Sequence, residues 1–294
     1  MYLQTSDQLL AKDQKQRTWW QTMIWSAVIL LLVGGGSQAL FVQLFKHFHI
    51  SNRAFWCLML QFPVMLLAIF IIGLARDNRS LGTYGFKKRD LPGQFFTGLL
   101  SGLLAFALVW TVAFLTGSIS FGFADKVNWG QWLIIFVCFI VQGTCEEVLF
   151  QGFLMNKIRV INGSFWAVVI SSGLFALAHG LNPGLTQLAI INLVLFGIVF
   201  ALLFIYTDNI YLTGAAHGMW NFAQGAIFGV KVSGIKVPTT TLVSTVEQKS
   251  PAWLNGKPFG LAGSIITTGL GSFLVLLLLL LLWHQKRVLA KTVA

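Results

Sequence analysis

Residues 131–158 read QWLIIFVCFIVQGTCEEVLFQGFLMNKI. The stretch is apolar and long enough for a bilayer-crossing helix, yet it carries two adjacent carboxylates, Glu146 and Glu147, near its middle. A charged group at that depth costs several kcal/mol unless it is protonated, paired or hydrated. The other seven acidic residues, Asp77 and Asp208 among them, fall in tails, loops or segment edges. Intramembrane acid is therefore concentrated at one place.

The rest of the chain fits a membrane reading. Of 294 residues, 56% are hydrophobic and 10% charged, with a mean hydropathy of +0.76. A soluble domain carries about 25% charged residues. Eight candidate spans lie at about 19–45, 54–75, 94–117, 131–158, 164–181, 186–206, 211–229 and 260–283. The expected fold is an all-α polytopic bundle forming a single membrane domain over 1–294, with a motif-bearing core at about 131–229. Residues 1–18 are polar and charged, so no cleavable signal peptide is expected, and the first apolar segment reads as a signal anchor.

A net charge of +11 would point to nucleic acid in a soluble protein. Here the cations lie between apolar segments, so topology and anionic lipid explain them and no nucleic-acid partner is expected. With the N-terminus inside, inner segments hold thirteen Lys and Arg and outer segments seven, which puts both termini in the cytosol. Arg76, Arg79, Lys87, Lys88 and Arg89 form the strongest basic anchor; the 230–258 loop, with four lysines, runs against the bias. Cys57, Cys138 and Cys145 show neither disulfide nor zinc spacing. Gly98-x-x-x-Gly102 and Gly214-x-x-x-Gly218 permit close helix approach.

Polar groups recur on three spans. Gln142 and Glu146 are four apart and share a helical face, as do Gly143, Glu147 and Gln151. The fifth span ends Phe175-Ala-Leu-Ala-His179, and the seventh holds His217-Gly-Met-Trp-Asn221. Taken singly, each histidine or amide reads as an interhelical hydrogen bonder. Together with the paired glutamates they fit hydrolysis by activated water. A carboxylate in a low-dielectric pocket works as a general base, a histidine shares the proton, and His and Asn donors stabilise an oxyanion. No cofactor is needed for that chemistry. Zinc is the alternative, since Glu146, His179 and His217 are a workable ligand set, although no His-Glu-x-x-His helix is present. On a roughly 1.5 Å rise, His217 lies shallower than Glu146 and His179. Either its helix begins deeper or the turn at 207–210 is tucked into the protein.

At these residues the chain resembles the CPBP intramembrane protease family, also called Abi or CAAX-protease-like. That family is marked by Glu-Glu-x-x-x-Arg, Phe-x-x-x-His and His-x-x-x-Asn/Asp on three successive transmembrane helices. The matching stretches are Glu146-Glu147-Val-Leu-Phe-Gln151, Phe175-Ala-Leu-Ala-His179 and His217-Gly-Met-Trp-Asn221. The resemblance implies an intramembrane endopeptidase in which Glu146 and His179 activate water and His217 and Asn221 form the oxyanion site. Glu147, with Gln151 and Gln142, would be structural. Residues 228–234 and 253–260 are similar to bacterial members. This implies a bacterial plasma membrane and peptide or membrane-protein substrates, with bacteriocin immunity among the roles of relatives. The chain departs from the family where the motif arginine is replaced by Gln151. Glu147 must then be protonated, find Lys157 or Arg159, or alter how Glu146 holds its proton. The competing readings are a non-catalytic immunity or partner protein and a proton-coupled transporter; the absence of an internal repeat disfavours the latter.

Overall fold

The computed structural model describes Ser6, Leu10, residues 19–87 and residues 90–293, with side chains to Arg287. The N-terminal tail cations, Lys88 and Arg89 lie outside the described residues. The architecture is the expected all-α membrane bundle. Its helices are α1 (Trp19–Leu44), α2 (Arg53–Asp77), α3 (Leu91–Leu115), α4 (Trp129–Glu147), α5 (Asn156–Ala178), α6 (Gln187–Thr207), α7 (Ile210–Phe222), the short α8 (Ala252–Asn255) and α9 (Ile265–Val293). Among the described residues, six stretches are long and apolar enough to cross a membrane. The fourth of them, Trp129–Ala178, contains two of the expected spans. The expected seventh span is α7 with the π-helical turn Ala223–Ile227 that continues it.

The long fourth stretch is folded back at Gly163, where φ is 82° and ψ 170°. Only glycine adopts that conformation readily. Past it, Ser171 Oγ donates to Phe150 O at 2.9 Å, and the Phe150 and Phe175 rings meet at 5.3 Å. A straight helix would hold residues 150 and 171 about 30 Å apart. The fold-back returns the end of α5 to the middle of α4.

Helix α7 is the central element and lies against both α3 and α4. Small residues make this possible. A Cβ on Gly98 or Gly102 would strike the α7 backbone at Leu212 and Ala216. On the other side, a Cβ on Gly214 would come within 2.7 Å of Thr144 Oγ1, and one on Gly218 within 2.5 Å of Phe139 O. Both Gly-x-x-x-Gly stretches are thus packing seams, as expected from sequence.

The connections sort to two ends of the bundle. At one end, β1 (Ile119–Phe123) and β2 (Leu242–Val246) form an antiparallel ribbon that the all-α expectation did not include. Asn255 donates to Ser118 O at this end. At the other end, Asn156 Nδ2 donates to Thr83 O and Ser6 Oγ, and the Ser6 N–H donates to Asp208. Ile210 N donates to Gly85 O at 3.0 Å, and Asn209 and Ile210 are buried. The 207–210 turn is therefore tucked beneath the 80–87 loop, which accounts for the shallow sequence position of His217.

Arg79 fastens that end. Its side chain is fully buried beside Asp77 at 3.8 Å. It donates to Gly152 O at 3.1 Å and Phe153 O at 2.9 Å, and stacks over the Phe153 ring at 4.6 Å. Both carbonyls belong to the π-helical stretch Val148–Met155, which directly follows the paired glutamates. A planar fork suits two carbonyls on one turn. Burial pushes the Arg79 guanidinium down from its ordinary value, opposed by Tyr84 and Asp77. Burial pushes the Tyr84 phenol up to about 12, so at neutral pH it keeps its proton and donates to Ile69 O. Replacing Arg79 by Met leaves Asp77 and two carbonyls without their donor. The expected loss is about 3 kcal/mol in denaturant titration of the micellar protein. Arg79→Lys should recover part of it, and an unchanged midpoint would refute the anchoring role.

Candidate active site

Three caps set where the site helices begin. Asn128 Oδ1 accepts from Gln131 N at the start of α4. Thr186 Oγ1 accepts from Ala189 N at α6, and Asn209 Oδ1 accepts from Tyr211 N at α7. Each satisfies a backbone donor that the first helical turn leaves open.

Glu146 and Glu147 diverge as their helical spacing requires. Glu146 faces a cavity of about 930 Å³, whereas Glu147 is 0% exposed. Gln142 Nε2 donates to Glu146 Oε1 at 2.7 Å. Asn221 Nδ2 donates in turn to Gln142 Oε1 at 2.9 Å. Gln142, expected to be a supporting residue, thus joins the carboxylate of α4 to the amide of α7.

His179 ends α5 and turns its ring back, with Nδ1 2.9 Å from Phe175 O. A carbonyl only accepts, so Nδ1 carries the proton and, in the neutral ring, Nε2 presents a lone pair. That Nε2 lies 3.9 Å from Glu146 Oε2. His217 approaches the same oxygen from α7, its Nε2 3.7 Å away. The two gaps exceed direct hydrogen-bond length and have the size a bridging water fills. His217 Nδ1 meets Glu147 Oε1 at 2.9 Å. The His217 ring is stacked on Phe200 at 4.6 Å and edged by Phe175 at 5.8 Å.

Every residue singled out from sequence is therefore near the others. Glu146, His179, His217, Asn221 and Gln142 line one cavity, and Glu147 sits behind it. The partner of Glu147 is the point of difference. Gln151 is buried one turn on, within reach of Glu147 and 3.3 Å from Ser171 Oγ, but the 2.9 Å contact comes from His217. Arg159 donates to Ser164 Oγ at 3.3 Å. Phe200, Ser171 and Arg79 support the site and carry no motif that would have revealed them. Among the described residues, no group of three or more His, Cys, Asp or Glu is arranged to hold a metal ion.

The cavity wall is mostly apolar, with Leu30, Met59, Phe62, Met65 and Phe196. The first half of α1 packs against the Val148–Met155 stretch and α5, and its second half against α2. Lining residues Leu31, Leu177 and Leu181 are 70%, 72% and 97% exposed. The cavity thus opens sideways between α1 and the His179 end of α5, toward the apolar surroundings.

Residues 128–223 match the family model for Type II CAAX prenyl endopeptidase Rce1-like proteins. The match spans all three motifs. It agrees with the resemblance: this part of the chain is similar to the CAAX-protease family. Searches of curated proteins and of solved structures gave no match.

The two glutamates should behave differently when replaced. Glu146→Gln keeps an oxygen to accept from Gln142 and should leave stability nearly unchanged. Glu147→Leu strands a buried imidazole nitrogen and should lower stability by about 1–3 kcal/mol. Thermal unfolding in detergent distinguishes them, and equal losses would contradict this division.

Proposed function

We propose that the chain is an intramembrane endopeptidase that hydrolyses peptide bonds of membrane-associated peptides or proteins with a water activated by Glu146 and His179. The observation that carries this reading is the convergence of two imidazole Nε2 atoms, at 3.7 and 3.9 Å, on one oxygen of Glu146 at a cavity wall. The family match supports the same reaction class.

In this reading a water sits between Glu146 Oε2 and His179 Nε2. Gln142 holds the other carboxylate oxygen, so Oε2 is the one turned to the water. As water attacks the carbonyl carbon, its proton passes to the Glu146–His179 pair. The carbonyl oxygen becomes an oxyanion. Asn221 Nδ2 has two N–H bonds; Gln142 takes one and fixes the amide orientation, leaving the second for the oxyanion. His217, when protonated at both nitrogens, donates Nδ1–H to Glu147 and Nε2–H toward the same oxygen. Collapse breaks the C–N bond, and the proton held by Glu146–His179 moves to the leaving amine. Water supplies the hydroxyl of the new carboxyl group, so no cofactor enters the balance.

The sideways opening suits a substrate that arrives within the lipid. The setting in this reading is a bacterial plasma membrane, and the substrate an unprenylated membrane peptide.

Cleavage of membrane-embedded peptides by the reconstituted protein tests the proposal. Glu146→Gln and His179→Ala should each lower kcat by about 10²–10⁴, and Asn221→Ala by about 10²–10³. Gln142→Leu should also lower kcat, because it frees both Glu146 and Asn221. A chelator should have no effect. Full cleavage by Glu146→Gln would eliminate the mechanism, and loss of activity on chelation would replace it with a metal route. A protective function that survives in Glu146→Gln would indicate a non-catalytic partner protein.

A further inference from the structure

The residues lining the cavity include Glu146 but no lysine, arginine or aspartate. Away from Glu146 and the two histidines around it, a charged side chain inside would lack a partner of opposite sign, and burying it would be unfavourable. The wall selects an apolar segment.

The rim at the loop end has a different character. Val232 and Ile235 pair as a small bridge, with N–H to O distances of 2.9 Å in both directions. The turn between them places Ser233 at φ 48° and Gly234 at φ 85°, the pattern of a tight hairpin turn. Val232, Ser233 and Ile235 all line the cavity. The hairpin is fixed in place. Gly234 N donates to Phe259 O at 2.9 Å, and Gln224 Nε2 donates to Lys231 O at 2.5 Å. Gln224 is itself a lining residue, three positions beyond Asn221. Lys231 and Lys236 are the two feet of this hairpin and both are exposed. No carboxylate is paired with either among the described residues. Lys257, two positions before the lining residue Phe259, adds a third cation on the same loop system. These lysines belong to the segment whose charge opposes the topological bias of the chain, so membrane orientation does not explain them.

Building on the endopeptidase reading, we propose that Lys231 and Lys236 form a recognition site for acidic residues flanking the apolar segment of the substrate. The apolar segment fills the cavity beside Glu146. The acidic flank leaves at the hairpin and meets the two ammonium groups within a Debye length of about 10 Å. The contact forms in the bound substrate and involves no atom of the reacting bond, so it acts on KM rather than kcat.

The full-length protein in phosphatidylcholine vesicles tests this with peptides that share one apolar segment. Their loop-side flanks are Asp-Glu-Asp, Asn-Gln-Asn or Lys-Arg-Lys. The acidic peptide should show a KM about two- to tenfold below the neutral one, as exposed ion pairs allow, and the gap should narrow in high salt. Lys231→Glu/Lys236→Glu should reverse the order of acidic and basic peptides, and Lys231→Gln/Lys236→Gln should abolish the preference. Photo-crosslinking of the same peptides to Glu146→Gln reads binding without cleavage. Capture that follows flank charge while wild type cleaves nothing would retain the binding site and remove the enzyme reading. Cleavage with one KM for all three flanks would remove the binding site and retain the enzyme. A preference that follows the anionic lipid content of the vesicle instead of the peptide flank would also overturn the proposal.

Discussion

The site depends on how closely α7 lies against α4. Gly143, Gly214 and Gly218 leave no room for a Cβ along that seam. The His217 ring can then reach Glu147 at 2.9 Å, and the Asn221 amide can reach Gln142 at 2.9 Å. In lipid, apolar surface does not drive helices together, so close backbone contact and interhelical hydrogen bonds must do so. The same contacts that hold α7 in place carry the polar groups, and packing and chemistry are not separable here. Gly98 and Gly102 complete the arrangement by admitting α3 to the opposite face of α7.

The second constraint is the return of the chain at Gly163. Without it, His179 would lie about 50 Å from Glu146 along a continuous helix, whereas the observed separation is 3.9 Å. Ahead of the return, at Val148–Met155, π-helical geometry replaces the ordinary ladder. Arg79 and Ser171 supply donors to its carbonyls from two other elements. π-Helical turns recur at functional sites, and here one follows the glutamates and another follows Asn221.

Much of this was legible in the sequence. Spacing of four put Gln142 and Glu146 on one face, and their 2.7 Å contact realises it. The three polar motifs converge as expected, and the Gly-x-x-x-Gly stretches are close-packed seams. Spacing gives the face of a helix but not the partner across it. For that reason the shared face of Glu147 and Gln151 is legible, while the 2.9 Å partner of Glu147, His217 on another helix, is not. The depth of His217 is likewise not legible from spacing, because the burial of the 207–210 turn under Gly85 is a long-range contact. The short ribbon of β1 and β2 joins two loops distant in sequence, and local pattern carries no sign of it.

The missing motif arginine has a physical counterpart in these contacts. A buried carboxylate needs donors, and formal positive charge is only one way to provide them. Glu147 is met by an imidazole that is also wedged between Phe200 and Phe175. Gln151 fits the space by lying near Ser171 and Glu147 without adding a charge. The one described guanidinium at this level, Arg79, comes from the 76–93 loop and binds the backbone at Gly152 and Phe153. The donor that the family motif draws from an arginine comes to Glu147 here from His217 on α7. This ties the orientation of Glu147 to α7, so any motion of α7 that opens the cavity also disturbs the His217–Glu147 contact behind it.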